Sequence, residues 1–308
     1  MKVKRSKSLS PDPSSSGNSK RAKIKDDSKD GTAVQPNLLN FSDDVLLMII
    51  KYLDSFDTMN LSMCCQRLDR VTRDRTLWDV MDYRARAMSV AELKKYTKFF
   101  QPSVKTFAIR GKSEWNNYSE FNKNFLDIIM ETCTHLKELI IEEFYINGME
   151  IQVSDFPSSL EKLSLKGCDV FNIEQKKSYF FQAQEHMPNL TVVRAEDFDF
   201  QDMERYLVTD RAICSLGSYV CERRIVDNNR GGIIRIEEDS RICNNPNLKT
   251  LVVRHYPQVT DRSLHHLAVS KLNLEFVDVT GSAVTQEGVQ LFRMQKPEVK
   301  IVSSFDDS

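Results

Sequence analysis

The sequence lacks the long apolar runs that a membrane protein needs. No stretch of its 308 residues approaches the ~20 consecutive apolar residues of a spanning helix, and no hydrophobic signal core stands near the N-terminus. Charge of predominantly one sign is also missing, because 43 Lys and Arg residues are balanced by 44 Asp and Glu residues. We therefore expect a soluble, intracellular protein, cytoplasmic, nuclear or both, with neither a membrane nor nucleic acid as a direct partner.

Patterns typical of metal sites and catalytic sites are also lacking. The seven cysteines include no CxxC pair and no zinc-finger spacing, so we interpret them as reduced and mostly buried. Gly231 and Gly232 lack the spacing and the following Lys of a phosphate-binding loop. His265 and His266 are adjacent on a predicted helix, where neighbours diverge by about 100°, which disfavours a shared metal. We predict a non-catalytic protein that uses no cofactor and no metal.

One enzymatic alternative stays open at this point. A cysteine and a histidine that are distant in sequence can meet in space and form a nucleophile and its base, and one sequence does not exclude this. Such an enzyme would be active as the purified chain alone.

Residues 1–36 form a basic segment with nine Lys or Arg residues, four Asp residues and no aromatic residue. This composition offers too little apolar surface to offset the entropy of ordering, so we predict a disordered tail. Basic clusters at residues 2–5 and 20–25 are loosely similar to a bipartite nuclear import signal. A solvated basic tail explains the same clusters equally well.

The stretch at residues 38–78 carries an unusually apolar predicted helix. Between residues 45 and 53 only Lys51 is plainly polar, so the helix would be apolar around most of its circumference. About forty residues of short helices do not cover such a surface by themselves, which predicts a partner chain. The alternative is an ordinary helical cap, which would bury one face and expose a polar one.

This stretch resembles the F-box, an adaptor-binding motif of three short helices. The pattern aligns without a gap, with Ser42 in place of Pro, Cys64 in place of Val and Leu68 in place of Trp. Ser42 can cap the helix that Pro would otherwise begin. The matching positions are Phe41, Asp43, Asp44, Leu46, Ile49, Ile50, Leu53, Cys65, Arg67, Leu77 and Trp78.

The resemblance implies a division of labour and a set of partners. F-box proteins are similar in that the box docks on a Skp-family adaptor, which joins a cullin and a RING protein, while the rest of the chain holds a substrate. On this resemblance the following residues are predicted to form the box and its adaptor-binding surface: Phe41, Leu46, Ile50, Leu53, Leu61, Leu68 and Trp78.

Beyond the box, Ser89 and Glu92 form a capping-box pattern that opens a helix ending before Pro102. A pattern of the LxxLxL type then recurs at intervals of 24–32 residues and resembles leucine-rich repeats. Its positions are Val104/Phe107/Ile109, Leu136/Leu139/Ile141, Leu160/Leu163/Leu165, Leu190/Val193/Ala195, Leu216/Tyr219/Cys221, Leu248/Leu251/Val253 and Leu274/Val277/Val279.

The predicted fold is α/β, an N-terminal three-helix box followed by a leucine-rich-repeat solenoid. We place a disordered tail at residues 1–36, the box at 37–84, a linker helix at 85–103 and the repeats at 104–308. About seven repeats and a terminal strand at residues 299–304 are expected, with parallel strands on the concave face and helices on the convex face. Thr260 or Asp261 is placed to cap a return helix.

Side-chain alternation along strands nominates the concave face, because residues that flank the buried positions must point the other way. The nominated substrate-binding residues are Lys162, Ser164, Lys166, Arg194, Glu196, Thr250, Val252, Arg254 and Asp278. Their charges are mixed, which favours a protein partner over a phosphate backbone.

Box followed by repeats is the arrangement of the F-box and leucine-rich-repeat class, and residues 156–170 are similar to its short members. That resemblance implies a substrate-recognition subunit of an SCF-type ubiquitin ligase. The alternative is a leucine-rich-repeat scaffold for a nuclear or RNA-processing protein, without ubiquitin transfer and with the helical front as its cap.

Overall fold

The computed structural model describes residues 37–114, 117–171, 179–180, 183–197, 208–216, 221–223, 237–239 and 247–306. The basic tail lies outside these residues, so its disorder stays a prediction. The chain divides into two compact units, residues 1–41 and 42–308. In the first unit, Leu38–Asn40 forms a single 3-10 turn, capped by the Asn37 carboxamide oxygen, which accepts from the Leu39 N–H at 3.0 Å. Among the helices described, none is long and apolar enough to cross a membrane.

The second unit contains short helices and short strands in alternation. The described helices are α1 (Asp43–Ile50), α2 (Ser55–Ser62), α3 (Gln66–Thr72), α4 (Val90–Leu93), α5 (Lys123–Thr132), α6 (Ala183–His186), α7 (Asp210–Cys214), α8 (Asp261–Val269) and α9 (Gln286–Gln295). The described strands are β1 (Val80–Asp82), β2 (Thr106–Arg110), β3 (Ser113–Glu114), β4 (Asn117–Tyr118), β5 (Glu120–Phe121), β6 (Glu138–Glu142), β7 (Tyr145–Asn147), β8 (Lys162–Lys166), β9 (Asp169–Phe171), β10 (Val192–Glu196), β11 (Cys221–Arg223), β12 (Glu237–Asp239), β13 (Thr250–Arg254), β14 (Phe276–Asp278) and β15 (Lys300–Val302).

Helices α1, α2 and α3 form the front of this unit. The first turn of α1 contains two carboxylates, Asp43 and Asp44. The positive end of the helix dipole stabilises their negative charges. Ser42 stands at the N-cap of α1, but its side chain makes no capping hydrogen bond, contrary to the expectation. The Asp54 side chain does cap α2, accepting from the Asp57 N–H at 2.7 Å.

Within the described residues, eight strands form one parallel sheet whose order follows the chain, β1-β2-β6-β8-β10-β13-β14-β15. Six of the seven predicted repeat positions are strands of this sheet, and the terminal strand is β15. Alternate residues are buried in β6, β8 and β10, as Leu163 and Leu165 show with 0% exposure, whereas β2 and β13 bury all three of their middle residues. The buried side of the sheet forms a continuous core with the helices.

The predicted linker helix is α4, which continues as a 3-10 turn from Lys94 to Phe99. Its capping box is complete, because the Ser89 hydroxyl oxygen accepts from the Glu92 N–H at 3.3 Å and the Glu92 carboxylate accepts from the Ser89 N–H at 2.8 Å. Lys112 and then Ser89 lower the pKa of Glu92 to about 2, so this cap is charged at neutral pH.

Two local structural features recur along the second unit. The chain leaves β6, β8 and β13 through a left-handed residue, namely Glu143 (φ 58°), Gly167 (φ 59°) and His255 (φ 63°). Carboxylates at helix starts also bind the cap of the next helix. Asp210 accepts from the Thr260 N–H at 2.9 Å, and Asp261 accepts from the Thr285 N–H at 2.7 Å. Thr260, the residue before Asp261, is the N-cap of α8.

Three features differ from the sequence-based expectations. The sheet begins with β1, inside the 37–84 range assigned to the box, and β1 pairs with β2. The predicted repeat at Leu216/Tyr219/Cys221 is wrong: β10 pairs directly with β13, and β11 pairs antiparallel with β12. Leu216 instead follows α7 as a buried residue, and Tyr219 lies outside the described residues. A second parallel ladder, β5-β7-β9, was not predicted.

Candidate functional site

Helix α1 is apolar on two opposite sides, and only one of them is covered. Leu46 and Ile50 point inward, with exposed fractions of 1% and 2%. On the other side, an outward stripe has the helical spacing i, i+3, i+4, i+7, although its last member lies in the turn just after the helix. The stripe residues are Val45 (37% exposed), Met48 (66%), Ile49 (39%) and Tyr52 (92%). We call these four residues the α1 stripe.

The predicted adaptor-binding residues divide into exposed and buried sets. Phe41 and Leu53 are exposed at 44% and 36%, and Leu61 is half-buried. The other four are buried between helices or against the sheet, so they hold the front together and do not offer a docking surface. The four residues whose predicted place on the adaptor-binding surface is corrected in this way are Leu46, Ile50, Leu68 and Trp78.

Trp78 shows why a motif position is not automatically a contact position. Its ring stacks on Phe99, with centroids 4.4 Å apart, and its indole N–H donates to the Thr72 carbonyl oxygen at 2.7 Å. Trp78 is only 2% exposed. It therefore joins α3 to the segment that leads into the sheet.

The α1 stripe was missed because the sequence is apolar on both sides of the helix. A hydrophobic pattern then does not say which side faces inward. The spacing of the four stripe residues was the signal available. Only the positions of α2 and α3 show that the side carrying Leu46 and Ile50 is the covered one.

Ion pairs fix α1 against α3. The Arg67 guanidinium donates to the Asp43 carboxylate at 2.8 Å, and Arg70 donates to its other oxygen at 3.0 Å. The Arg67 hydrogen bond is the main cause that lowers the pKa of Asp43. Asp43 and Arg67 are positions of the motif quoted above, so their pairing gives these motif residues a structural role.

The helical front and the sheet share a core within residues 42–308. Phe56 of α2 meets Tyr83 and Tyr96, at ring-centroid distances of 5.8 and 6.0 Å. The Lys98 ammonium donates to the Asp69 carboxylate at 2.9 Å and to a hydroxyl of α2 at 2.8 Å. The front therefore has a defined orientation relative to the sheet.

A comparison with protein-family models identifies the helical front. The matching model is described as the F-box domain, and the match covers residues 38–79. Residues 38–79 are an F-box domain. F-box domains bind Skp-type adaptors, and F-box proteins are generally non-catalytic adaptors. No curated protein sequence matches this chain significantly.

The F-box match ends at residue 79, directly before β1 begins at Val80, whereas the range predicted for the box extends to residue 84. Residues 80–82 alternate in burial, with Met81 fully buried between more exposed neighbours, which was the available signal for a strand. The second surface of interest belongs to the sheet that this strand begins.

The sheet presents a polar face, made by the strand residues that alternate with the buried ones. A groove of about 460 Å³ lies on this face. The register aligns Ser164, Arg194 and Val252 across β8, β10 and β13. Of the nine residues predicted to bind substrate, Thr250 lies on the same face without lining the groove. The eight that line it are Lys162, Ser164, Lys166, Arg194, Glu196, Val252, Arg254 and Asp278.

Two of these predicted contact residues are buried, so the prediction needs a correction. Asp278 is 0% exposed and Val252 is 7% exposed, which makes both part of the groove floor. Asp278 accepts from Arg254 Nε at 2.8 Å and from the Thr280 hydroxyl at 2.7 Å. Burial raises the pKa of Asp278, but the bonds from Arg254 and Thr280 outweigh it and hold that pKa below its usual value. Asp278 therefore positions Arg254.

Arg84 and Phe276 are among the groove-lining residues that sequence reasoning missed. Arg84 comes from the turn after β1 and reaches the groove through its bonds to the Asp82 carboxylate, at 2.6 Å, and to Glu142, at 3.4 Å. No repeat pattern marks it, because the strand before it was not predicted. Phe276 aligns with Thr250, as the register of β13 and β14 shows.

The described residues hold no group of three or more His, Cys, Asp or Glu side chains that could bind a metal. Burial raises the pKa of Cys168 to about 12, which disfavours its thiolate at neutral pH. The His266 ring nitrogen lies 2.9 Å from the Leu216 carbonyl oxygen, a contact between α8 and the end of α7 that gives it a structural role.

Proposed function

We propose that this chain is the substrate-recognition subunit of an SCF-type ubiquitin ligase. In this proposal, the α1 stripe docks on a Skp-family adaptor, which brings a cullin and a RING protein, and the polar face of the sheet holds the protein to be ubiquitinated. The single observation that carries the proposal is the α1 stripe. Four neighbouring apolar side chains stay in solvent on a helix whose opposite side is already packed.

Catalysis in such a complex is by proximity. The ubiquitin thioester belongs to a separate conjugating enzyme, and this chain raises the effective concentration of a substrate lysine beside it. No residue of this chain needs to ionise or attack. The shared core around Phe56 and Trp78 supports this role, because a fixed orientation between F-box and sheet limits where a bound substrate can lie.

We assign the sheet and its helices to a leucine-rich-repeat solenoid. Three observations support the assignment: parallel strands in chain order, left-handed corners after β6, β8 and β13, and carboxylates that cap the next helix. In such a solenoid each repeat is one strand-and-helix element, and it contacts mainly the repeats next to it. Residence in the cytoplasm, the nucleus or both belongs to the same proposal, with the basic clusters at residues 2–5 and 20–25 as its support.

The test of adaptor docking changes the α1 stripe without touching the core. Met48→Asp and Tyr52→Asp place a carboxylate where the adaptor would exclude water, and an unpaired buried charge is costly. We expect capture of the purified Skp-family adaptor to fall at least about tenfold for each variant. The melting temperature should be unchanged, because both side chains are exposed.

Met294→Asp is the matched control, because Met294 is a helical methionine that is 79% exposed on α9. It should bind the adaptor as the parent does. Equal capture by the parent and both stripe variants would refute the docking proposal. Ile50→Asp is not a suitable test, because Ile50 is buried and a carboxylate there would disrupt the fold of the F-box.

A reconstituted ligase separates this function from the rival one. The parent chain, mixed with adaptor, cullin and RING protein, should assemble into a complex that transfers ubiquitin to proteins captured by the sheet. A scaffold without ubiquitin transfer predicts instead that the parent binds no adaptor and that the reconstituted mixture transfers no ubiquitin to the partners it captures.

A further inference from the structure

Charges on the polar face are arranged in zones. The three central strands, β8, β10 and β13, present four cations and one carboxylate, a formal net charge of +3 from +4 and −1. These residues are Lys162, Lys166, Arg194, Arg254 and Glu196. The flanking strands carry the opposite sign, with Glu138 and Glu142 on β6 and Asp278 on β14. The centre of the groove therefore carries a net positive charge, and the carboxylates of β6 lie along one side of it.

Arg194 differs from the other cations of the centre because it has no partner among the residues that the structure describes. Arg254 is held by buried Asp278, and Lys166 lies 3.8 Å from Glu196. Lys162 lies 3.9 Å from Glu138. Arg194 is exposed and makes no hydrogen bond or ion pair with any part of the chain that the structure describes.

The carboxylate nearest to Arg194 in sequence is already shared. Glu196 stands two residues along β10, and Lys166 and Arg254 each approach its Oε1 to 3.8 Å from the two neighbouring strands. Two cations therefore compete for this one acceptor. Within the described part of the chain, the positive charge of Arg194 is therefore not neutralised and is available to an external group.

Ser164 adds a second donor beside this guanidinium. It aligns with Arg194 in the register of β8 and β10, about 4.8 Å away at the backbone, and is half-buried. Its hydroxyl makes no hydrogen bond within the described residues. On the β13 side Arg194 aligns with Val252, whose buried apolar side chain forms part of the groove floor. A guanidinium, a free hydroxyl and nearby Lys166 suit an oxyanion.

We propose that Arg194, with Ser164 and Lys166, binds an anionic group on the protein substrate, a phosphate or a carboxylate on one residue of a peptide segment. This inference rests on the proposed substrate role of the polar face. The carboxylates of β6 limit the positive zone on one side, because a polyanion such as a nucleic-acid backbone would meet Glu138 and Glu142 there.

The test uses the full chain and pools of nine-residue peptides with blocked ends. Each pool is random except for a central residue fixed as phosphoserine, Asp, Asn or Lys, and a further Asn pool has a free C-terminal carboxylate. We expect at least one anionic pool to be retained about tenfold more than the blocked Asn pool. The pools that bind distinguish phosphate, side-chain carboxylate and chain terminus as the source of the anion.

Two variants at one position and a control identify the residue responsible. Arg194→Gln should abolish the preference for the anionic pools, and Arg194→Glu should shift it to the Lys pool. Lys300→Gln removes an exposed cation from the edge strand of the same face and should keep the preference. Neither Arg194 variant should change the melting temperature, since the Arg194 side chain is exposed and pairs with none of the residues described.

The inference is overturned if the parent binds the anionic and Asn pools equally, or binds none of them. It is equally overturned if Arg194→Gln keeps the parent's preference. Adaptor capture, measured on the same samples, keeps this result separate from the ligase proposal. A parent that captures adaptor but ignores the anionic pools refutes the anion site alone, whereas a parent that captures no adaptor refutes the ligase proposal.

Discussion

The F-box and the sheet expose opposite kinds of surface. On α1 the outward side chains are apolar, and Met48 and Tyr52 are exposed at 66% and 92%. On the polar face of the sheet many of the outward side chains are charged, and their apolar neighbours Leu163 and Leu165 are fully buried. An apolar surface gains free energy from removal of water and selects its partner mainly by shape. A charged surface selects by pattern and gives less affinity per area.

This difference matches the two tasks proposed for the chain. The adaptor is one constant partner, and burying the α1 stripe suits a stable complex. A substrate must be released after modification, and the charged groove suits a weaker, selective contact. The two surfaces lie on one compact unit, so they are chemically distinct without being structurally independent.

We expect the largest effect from a substitution that disrupts the packing between the F-box and the sheet. Trp78→Ala removes a 2% exposed ring that stacks on Phe99 and donates to the Thr72 carbonyl oxygen. We expect the free energy of unfolding to fall by about 3–5 kcal/mol, measured by chemical denaturation. Because F-box and sheet share this core, both should unfold in one transition. Separate transitions, with the sheet unaffected, would show that the regions are independent.

A smaller effect concerns the sheet alone and depends on pH. The bonds that outweigh burial and lower the pKa of Asp278 stabilise the fold when this carboxylate is charged. That stability is fully present above the unfolded pKa of about 3.9 and is lost as the pH falls through the lower folded pKa. Asp278→Asn should therefore cost about 1.5–3 kcal/mol at pH 7 and progressively less below about pH 4.

The measurement is denaturation of the parent and of Asp278→Asn at pH 7, 5 and 3. The difference between the two proteins should be the same at pH 7 and 5 and smaller at pH 3. A difference that grows on acidification would contradict the direction of the pKa shift. Adaptor capture at pH 7 should be equal for both proteins, because Asp278 is not part of the F-box.

The smallest effect contrasts the two binding modes directly. Raising the ionic strength from 0.1 to 0.5 M shortens the Debye length from about 10 Å and screens exposed charges. We expect retention of an anionic peptide pool to weaken about three- to tenfold, while adaptor capture changes less than about twofold. Equal salt sensitivity of the two would mean that charge, and not apolar burial, dominates adaptor docking.

The positions of most strands could be predicted because their signal is local. Leu163 and Leu165 alternate with polar residues, and burial of one side of a sheet imposes that period of two. The capping box at Ser89 and the cap at Thr260 were predictable for the same reason, since each involves residues two or three apart. Leu216/Tyr219/Cys221 fits the same pattern loosely, and only pairing of β10 with β13 shows that it adds no strand to this sheet.

The sequence by itself determined the motif from Phe41 to Trp78 and the period of the strands. The period in turn determined which residues share the polar face. These features depend on short-range patterns of apolar and polar residues. Only the tertiary structure decided that Ile50 and Trp78 face inward while Met48 and Tyr52 stay in solvent. It also decided that Arg194 has no partner in the described part of the chain, whereas the neighbouring cations pair with residues of adjacent strands. The physical reason is common to both: burial and ion pairing depend on residues that are far apart in the chain, and a local pattern does not specify which of them will meet.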